Sequence, residues 1–305
     1  MKLRLTDASI RQLNVFKCVV ENSGFGAAQA SLNTSAAAIS IQMKELEDQL
    51  GFKLCERGRK GFKLTDHGKA VYEATKKLTR SFDNFNQEIA TISDSLSGSI
   101  RIGLQDNLST CETFMFSEAI TKFNQKKNNV EFCIEEVPSS EQEIRTLEGR
   151  YNLSIGVFSQ RIPGLSYQYL FDDPITMYCG KGHPLFDTPE SKIKIKDLQK
   201  ESHVGTHPLL DMIGGKKFFS QEPDALAESM DAVCLLLLSG NYVGLLPDAM
   251  ASYWVERGQM KALLPRKTGD TVKFHMITKR GASLPYAVKE FIQDLLDCHE
   301  TVLTS

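Results

Sequence analysis

Residues 25 to 68 read FGAAQASLNTSAAAISIQMKELEDQLGFKLCERGRKGFKLTDHG, and their order decides what this 305-residue chain is built around. Phe25 to Leu32 is a small-residue segment whose Ala27, Ala28 and Leu32 suit close packing against a neighbouring helix. Asn33 and Thr34 supply a turn, and Ser35 is a good N-cap for a second helix. In that helix Ile39, Met43, Leu46 and Leu50 recur at helical spacing and face inward, which turns Ala36, Ala37, Ser40, Ile41 and Lys44 outward. Gly51 ends it. From Lys53 to Thr65 two short strands flank a basic tip of Arg57, Gly58, Arg59, Lys60 and Gly61. Upstream, Ile10, Leu13, Phe16 and Val20 predict a helix from about Ala8 to Glu21 with Asp7 as its N-cap, broken by Ser23 and Gly24.

Helix, short helix, tight turn, helix and basic hairpin in that order make a winged helix-turn-helix, and its chemistry is that of a DNA reader. Small outward residues at a helix N-terminus let backbone approach base edges, and the Ser35 end suits a phosphate. Alanine and isoleucine read thymine methyls, whereas Ser40 and Gln42 can hydrogen-bond to bases or backbone. The candidate DNA contacts are Thr34, Ser35, Ala36, Ala37, Ser40, Ile41, Gln42 and Lys44 on the helix, with Arg57, Arg59, Lys60 and Lys63 on the wing. Taken one at a time these pieces favour a packed three-helix core and a solvated loop; their conjunction in one order favours DNA.

Phe25, Ala28, Leu32, Ser35, Ala38, Ile39, Ser40, Gln42, Leu46, Glu47, Gly51, Leu54, Arg57, Arg59, Leu64, Thr65 and Gly68 together resemble the DNA-binding domain of the LysR-type transcriptional regulators. The chain departs from that pattern at Gln29, at the Ala36 and Ala37 pair, at Ile41 and at Cys55, where the family usually has Ala, Gln-Pro, Arg and Phe. Side chains that commonly touch bases are thereby lost, so the operator of other members does not transfer.

Composition fits a soluble globular protein of more than one domain, with 41% hydrophobic and 24% charged residues. The net charge of -2 hides an asymmetry. Residues 1 to 65 carry a surplus of four positive charges and the remainder a deficit of six, a basic head on an acidic body. Seven cysteines show no metal spacing; Cys18, Cys133, Cys179 and Cys234 sit in apolar runs and read as reduced core thiols. The N-terminus has no apolar run of signal-peptide length and no stretch is long enough to span a membrane, so a cytoplasmic protein with no membrane contact is expected.

After the wing, Val71, Ala74, Leu78, Phe82, Phe85, Ile89, Ile92 and Leu96 form a heptad-like seam with one stutter. A helix from Asp66 to Leu96 would run about 45 Å. Its stripe either packs on its own domain or pairs two copies; the second arrangement would set two recognition helices at the half-site spacing of a palindromic operator. Ser95, Ser97, Gly98 and Ser99 read as a hinge. Beyond it strands alternate with helices: a strand at Ile100 to Leu104, a helix at about Thr110 to Asn124, strands at Val130 to Val137 and Leu153 to Phe158, then a second half ending in the helix from Pro285. This predicts parallel α/β structure in two lobes, crossed near Phe171 to Pro174 and near Phe274 to Thr278, with a ligand cleft between them.

That half is similar in outline to the family's effector domain, which has a periplasmic-binding-protein-like fold of type 2. The expected organisation is a DNA-binding domain at 1–65, a linker helix at 66–97 and an effector-binding domain at 98–305, with lobe I at 98–172 and 275–305 and lobe II at 173–274. Topology nominates Asp106, Asn107, Ser109, Thr110, Ser139, Phe158, Thr206 and His207 as effector contacts, each equally readable as a cap or surface residue. No motif of a hydrolase, zinc protease or phosphate loop is present, and His203 and His207 on an extended strand would lie roughly 13 Å apart. No catalytic residue, metal or cofactor is expected. The resemblance implies a homodimer assembling to a tetramer, double-stranded DNA and a small-molecule effector as partners, and RNA polymerase as a further one. A two-lobed solute-binding protein or an enzyme on the α/β lobes are the competing classes.

Overall fold

The computed structural model describes residues 6–58, 61–92, 96–206, 218–219 and 221–303. Contacts divide the chain into two compact units, parting between Asn86 and Gln87.

In the first unit, α1 (Asp7–Glu21), α2 (Phe25–Leu32) and α3 (Ala36–Leu50) precede a hairpin of β1 (Cys55–Gly58) and β2 (Gly61–Leu64) and the long α4 (Asp66–Ile92). The cap of α1 is Thr6, one residue earlier than expected: its hydroxyl accepts from the Ser9 N–H while Ser9 reaches back to the Thr6 backbone. That reciprocal pairing satisfies two end groups at once and leaves Asp7 in the first turn, facing the positive helix end. The turn holds Asn33 in the left-handed region at φ 46°, and α3 is capped by Ser35, which accepts from Ala38 N at 3.2 Å, and closed at Gly51. Phe16, Val19, Ala28, Ile39, Met43, Leu46 and Leu54 form the core, with Leu50 half-buried at its edge.

Helix α4 begins as part of this head. Val71, Tyr72 and Leu78 pack on the core, and the Tyr72 ring meets Phe16 edge-on at 6.4 Å. Ala74 on the same seam is exposed and Thr75 is buried instead, because a straight helix drifts off a heptad stripe. Farther on, Phe82 and Phe85 stand 42% and 57% exposed. The helix ends at Ile92, short of Leu96, and the expected hinge residues Ser97, Gly98 and Ser99 are strand, paired in parallel with Asn129, Val130 and Glu131. Burial of Leu96 and the backbone bonds of that pairing draw the segment into the sheet.

The second unit is built on one mixed sheet: β3 (Leu96–Leu104), β4 (Asn128–Glu136), β5 (Leu153–Gly156), β6 (Leu165–Gly180), β9 (Val243–Pro247), β10 (Met260–Ala262) and β11 (Asp270–Lys279). A separate parallel pair is formed by β7 (Val204–Thr206) and β8 (Ala225–Ala227). The order is β10-β6-β11-β5-β3-β4, with β9 also on β6. β3 is parallel to β4 and β5, whereas β11 is antiparallel to both β5 and β6. Helices α5 (Phe116–Asn124), α6 (Ser139–Leu147), α7 (Met230–Leu238), α8 (Asp248–Glu256) and α9 (Tyr286–Leu303) cover it. The helix expected from Thr110 is a 3-10 turn at Leu108–Thr110, and α5 starts six residues later.

The long antiparallel strands β6 and β11 carry the chain between two lobes. β11 meets β5 at His275–Ile277, and β6 meets β9 at Ile175–Cys179. Between those pairings Phe171 and Phe274 sit opposite each other, their rings stacked at 4.7 Å beside a bulge at Phe274 and His275. The second crossing thus lies at and before Phe274, slightly upstream of its expected place. In lobe I, Phe116, Phe123, Phe132 and Phe291 form an edge-to-face cluster, and Lys122 of α5 and Lys126 just beyond its end pair with Asp297, Asp294 and Glu290 of α9. In lobe II a Cβ at Gly180 would stand 2.0 Å from the Leu237 carbonyl oxygen, so α7 lies directly on β6.

Candidate nucleic-acid interface and ligand cleft

On α3 the outward face is as expected: Ala37, Ile41 and Lys44 are exposed, Thr34, Ala36, Ser40 and Gln42 half-buried, and Ile41 is 59% exposed. A groove between α3 and the hairpin is lined by Ser40, Ile41, Lys44, Lys53 and Cys55. Lys63 is exposed on β2; Arg57 lies on β1, and Arg59 and Lys60, read as the wing tip, fall outside the described residues. Cys55 is buried, and Cys18 and Cys133 are half-buried rather than core.

Two residues hold this face in place that the reading by periodicity passed over. Gln29 bridges the turn: its side-chain carbonyl accepts from Ala36 N at 3.1 Å and its amide donates to Gly26 O at 3.2 Å. With Ser35 taking Ala38 N, two of the first three N–H groups of α3 are committed within the head. Glu47 is only 5% exposed, and it accepts from Leu54 N at 2.8 Å, Cys55 N at 3.4 Å and Lys53 Nζ at 2.7 Å. Burial works against its charge, yet Lys53 and the Leu54 N–H outweigh it and hold the carboxyl below its ordinary value. Glu47 therefore ties the first residues of the wing to the last turns of α3. Its place on the inward stripe beside Leu46 was the available signal.

In the second unit, a cavity of about 20 Å3 opens between the lobes, room for roughly one water-sized group. Gln105, Asp106, Asn107 and Leu108 line it from lobe I and Asp173, Ile175, Met230 and Pro247 from the other side, with Val272 and Phe274 of β11. Asp106 spans the gap, its carboxylate accepting from Met230 N at 2.5 Å at the start of α7, where Ser229 caps the same turn through Ala232 N at 3.2 Å. An acid on the positive end of a helix is favourable. Burial nevertheless raises the Asp106 pKa, with the Met230 N–H opposing and Asp231 adding to the rise.

Asp173 is 5% exposed and is pushed up to about 6, first by burial and further by the charge of Asp248, while the Cys111 thiol opposes. Among the described residues no N–H, hydroxyl or cation pairs with it. The neighbouring Asp248 accepts from Tyr178 Oη at 2.8 Å. A carboxyl whose folded pKa is raised gains protons on folding, so stability falls as pH rises from about 4 to about 6. In Asp173→Asn the stability difference from the parent protein should therefore grow by about 2 kcal/mol between pH 4 and 7.5. Melting curves across that range test it; a difference independent of pH would contradict the burial of a titrating carboxylate.

Of the expected effector residues, the structure brings Asp106 and Asn107 to the cavity. Ser109 and Thr110 are exposed on the 3-10 turn and do not line it. Ser139 is buried and bonded to Gln105 at 3.3 Å, one residue behind the lining. Phe158 packs with Leu165 and Ile277 and meets Tyr167 edge-on, a core residue because β5 ends before it. Thr206 ends β7 with its side chain outside the described set, as is His207 altogether. His203 is buried, its ring stacked on Phe219 at 3.8 Å with Asp224 3.7 Å away. Asp173 was missed, although two successive aspartates in the apolar run of β6 were a visible signal.

An exposed helix face beside a basic hairpin, carried on one chain with a two-lobed α/β domain, defines a DNA-binding regulator with a substrate-binding domain. The chain belongs to the LysR family of bacterial transcriptional regulators: the family's helix-turn-helix model matches residues 10–69 and the LysR substrate binding domain model residues 93–298. It is 30% identical over 290 residues to the HTH-type transcriptional activator BauR of Pseudomonas aeruginosa, covering 95% of each chain. It is 22% identical over 293 residues to the HTH-type transcriptional regulator CrgA of Neisseria meningitidis, covering 94% of this chain and 95% of that one. Full-length CbnR complexed with its target DNA has the same fold, with a TM-score of 0.68 at 17% identity over 95% of this chain and 99% of that one. The family is one of regulators rather than enzymes. No helix among the described residues is long and apolar enough to cross a membrane.

Proposed function

We propose that α3 reads the operator mainly through Ala36, Ala37 and Ile41, with Ser40, Gln42 and backbone groups assisting, while Lys44, Arg57, Arg59, Lys60 and Lys63 supply phosphate affinity. The observation that carries this reading is the 59% exposure of Ile41 at the centre of the outward face, beside the groove that leads to the hairpin. An isoleucine there discriminates by contact with thymine methyls, and a lysine on the wing adds affinity without sequence. Ile41→Ala should change which sequences are enriched from random DNA. Lys63→Ala should weaken all of them several-fold and reduce the salt slope of binding by about one. Gel-shift titrations at three salt concentrations separate the two; an equal loss on all sequences from both variants would end this division of labour.

The exposed Phe82 and Phe85 of α4 support pairing of two chains through this helix, giving a cytoplasmic homodimer on a palindromic site, with tetramer formation and contact with RNA polymerase as further steps. The cleft holding Asp106 and Asp173 is where a small-molecule effector binds. Because Asp106 of one lobe caps α7 of the other, a ligand that changes this bond changes how the lobes sit, and differential affinity for the two arrangements is what a switch requires.

A further inference from the structure

We infer that the effector is a small organic cation whose ammonium group is received by Asp106 and Asp173, an inference that rests on reading the interlobe cleft as the effector site. Three independent features of the cleft converge on that chemistry. The cavity holds one water-sized group, which is the size of an ammonium head. Asp173 is a buried carboxylate lining it, with no N–H, hydroxyl or cationic partner among the described residues. No Lys, Arg or His is among the described residues that line it, and aromatic Phe274 is one of them, a lining that favours a cation over an anion. A buried charge without a counter-charge is costly, and a ligand that supplies the counter-charge recovers that cost on binding.

An anionic effector fits poorly. Among the described residues the anion-binding feature at the cleft is the N-terminus of α7, and it is already occupied by the chain's own Asp106. An incoming carboxylate would have to displace it and then face Asp173, with Asp248 behind. An ammonium group instead takes both carboxylates as acceptors. It competes with Met230 N for Asp106, so its binding loosens the link between lobe I and α7 as it forms a new one through the ligand. Ligand recognition and lobe movement then share one carboxylate.

The test uses the full-length protein in thermal-shift measurements at pH 7.5 with three four-carbon probes at about 10 mM: 1,4-diaminobutane, 4-aminobutanoate and succinate. At least one of the two ammonium-bearing probes should raise the melting temperature by about 3 °C or more while succinate does not. The rise should disappear in Asp173→Asn and diminish in Asp106→Asn, both of which remove one negative charge. Asp173→Asn also relieves an unpaired buried charge, so it should remain folded, which the same melting curves show. Stabilisation by succinate that Asp106→Asn abolishes would keep the cleft as the effector site and overturn the cation. Absence of any shift with either amine would overturn it as well. An ammonium-dependent shift that survives unchanged in both variants would place the ligand elsewhere and end the cleft reading itself.

Discussion

Gly68→Ala should destabilise the DNA-binding head by about 3 kcal/mol or more and abolish operator binding. In the first turn of an ordinary helix this substitution is stabilising by up to about 1 kcal/mol, because alanine loses less backbone entropy on folding. Here the sign reverses. A Cβ at Gly68 would lie 1.9 Å from the carbonyl oxygen of Leu54 and 3.2 Å from a methyl of Leu64, and backbone cannot rotate aside as a flexible side chain can. The same Leu54 carbonyl accepts from Thr65 N at 3.0 Å, and the Thr65 hydroxyl in turn caps α4 by accepting from Gly68 N at 2.9 Å. Moving α4 away to admit a methyl group would therefore break the strand-to-helix corner as well as relieve the clash. Thermal or denaturant unfolding of the variant, run alongside gel shifts, reads both effects. A melting temperature raised above that of the parent protein would show that α4 does not press on the wing.

Glu47→Ala is the second large effect, expected to cost about 3 kcal/mol and to weaken DNA binding across all sequences. The substitution leaves the Leu54 N–H inside the protein with no acceptor and releases Lys53 from its ion pair. Glu47→Gln keeps one oxygen toward Leu54 N, so it should lose less and serves to separate the hydrogen bond from the charge. The acid dependence provides a further signature. A carboxyl whose folded pKa is depressed contributes stability that is present above its unfolded pKa and is lost as pH falls through the folded value. The parent protein should thus lose stability below about pH 4.5, with a shallower acid limb in Glu47→Gln. Equal acid limbs would mean that the wing is held by packing alone.

The head was legible in the sequence because its signals are local. Ile39, Met43 and Leu46 at helical spacing, Ser35 as a cap, Gly51 as a stop and the alternation around Arg57 to Lys63 each act within a few residues. Gln29 and Glu47 escaped that reading because their partners, Ala36, Leu54 and Cys55, lie seven or eight residues away, across a turn whose geometry only the packed helices set. The linker helix shows the same limit. Its stripe was visible, but whether Val71 and Leu78 served the head or a second chain depended on how they and Tyr72, which is off the stripe, came to lie against Phe16 and its neighbours.

For the cleft, Asp106 and Asn107 line the cavity as topology leads one to expect, since they come directly after the first strand of the α/β unit. It could not find Asp173, which belongs to the middle of a 16-residue strand and faces the cavity only because β6 and β11 cross between the lobes there. Nor could it exclude Phe158, whose fate turned on β5 ending at Gly156.

By itself, the sequence determined the order of elements, the outward character of α3, the basic hairpin and the two-lobed plan, all of which arise from periodicity, caps and charge acting over short distances. Only the tertiary structure decided which polar groups are spent inside the protein and which are left without a strong partner. Asp106 is committed to the N–H of Met230, 124 residues away, and among the described residues Asp173 is left with no stronger partner than the Cys111 thiol. Hydrogen-bond satisfaction is settled by contacts between distant segments, and pairing of that kind has no period in the chain.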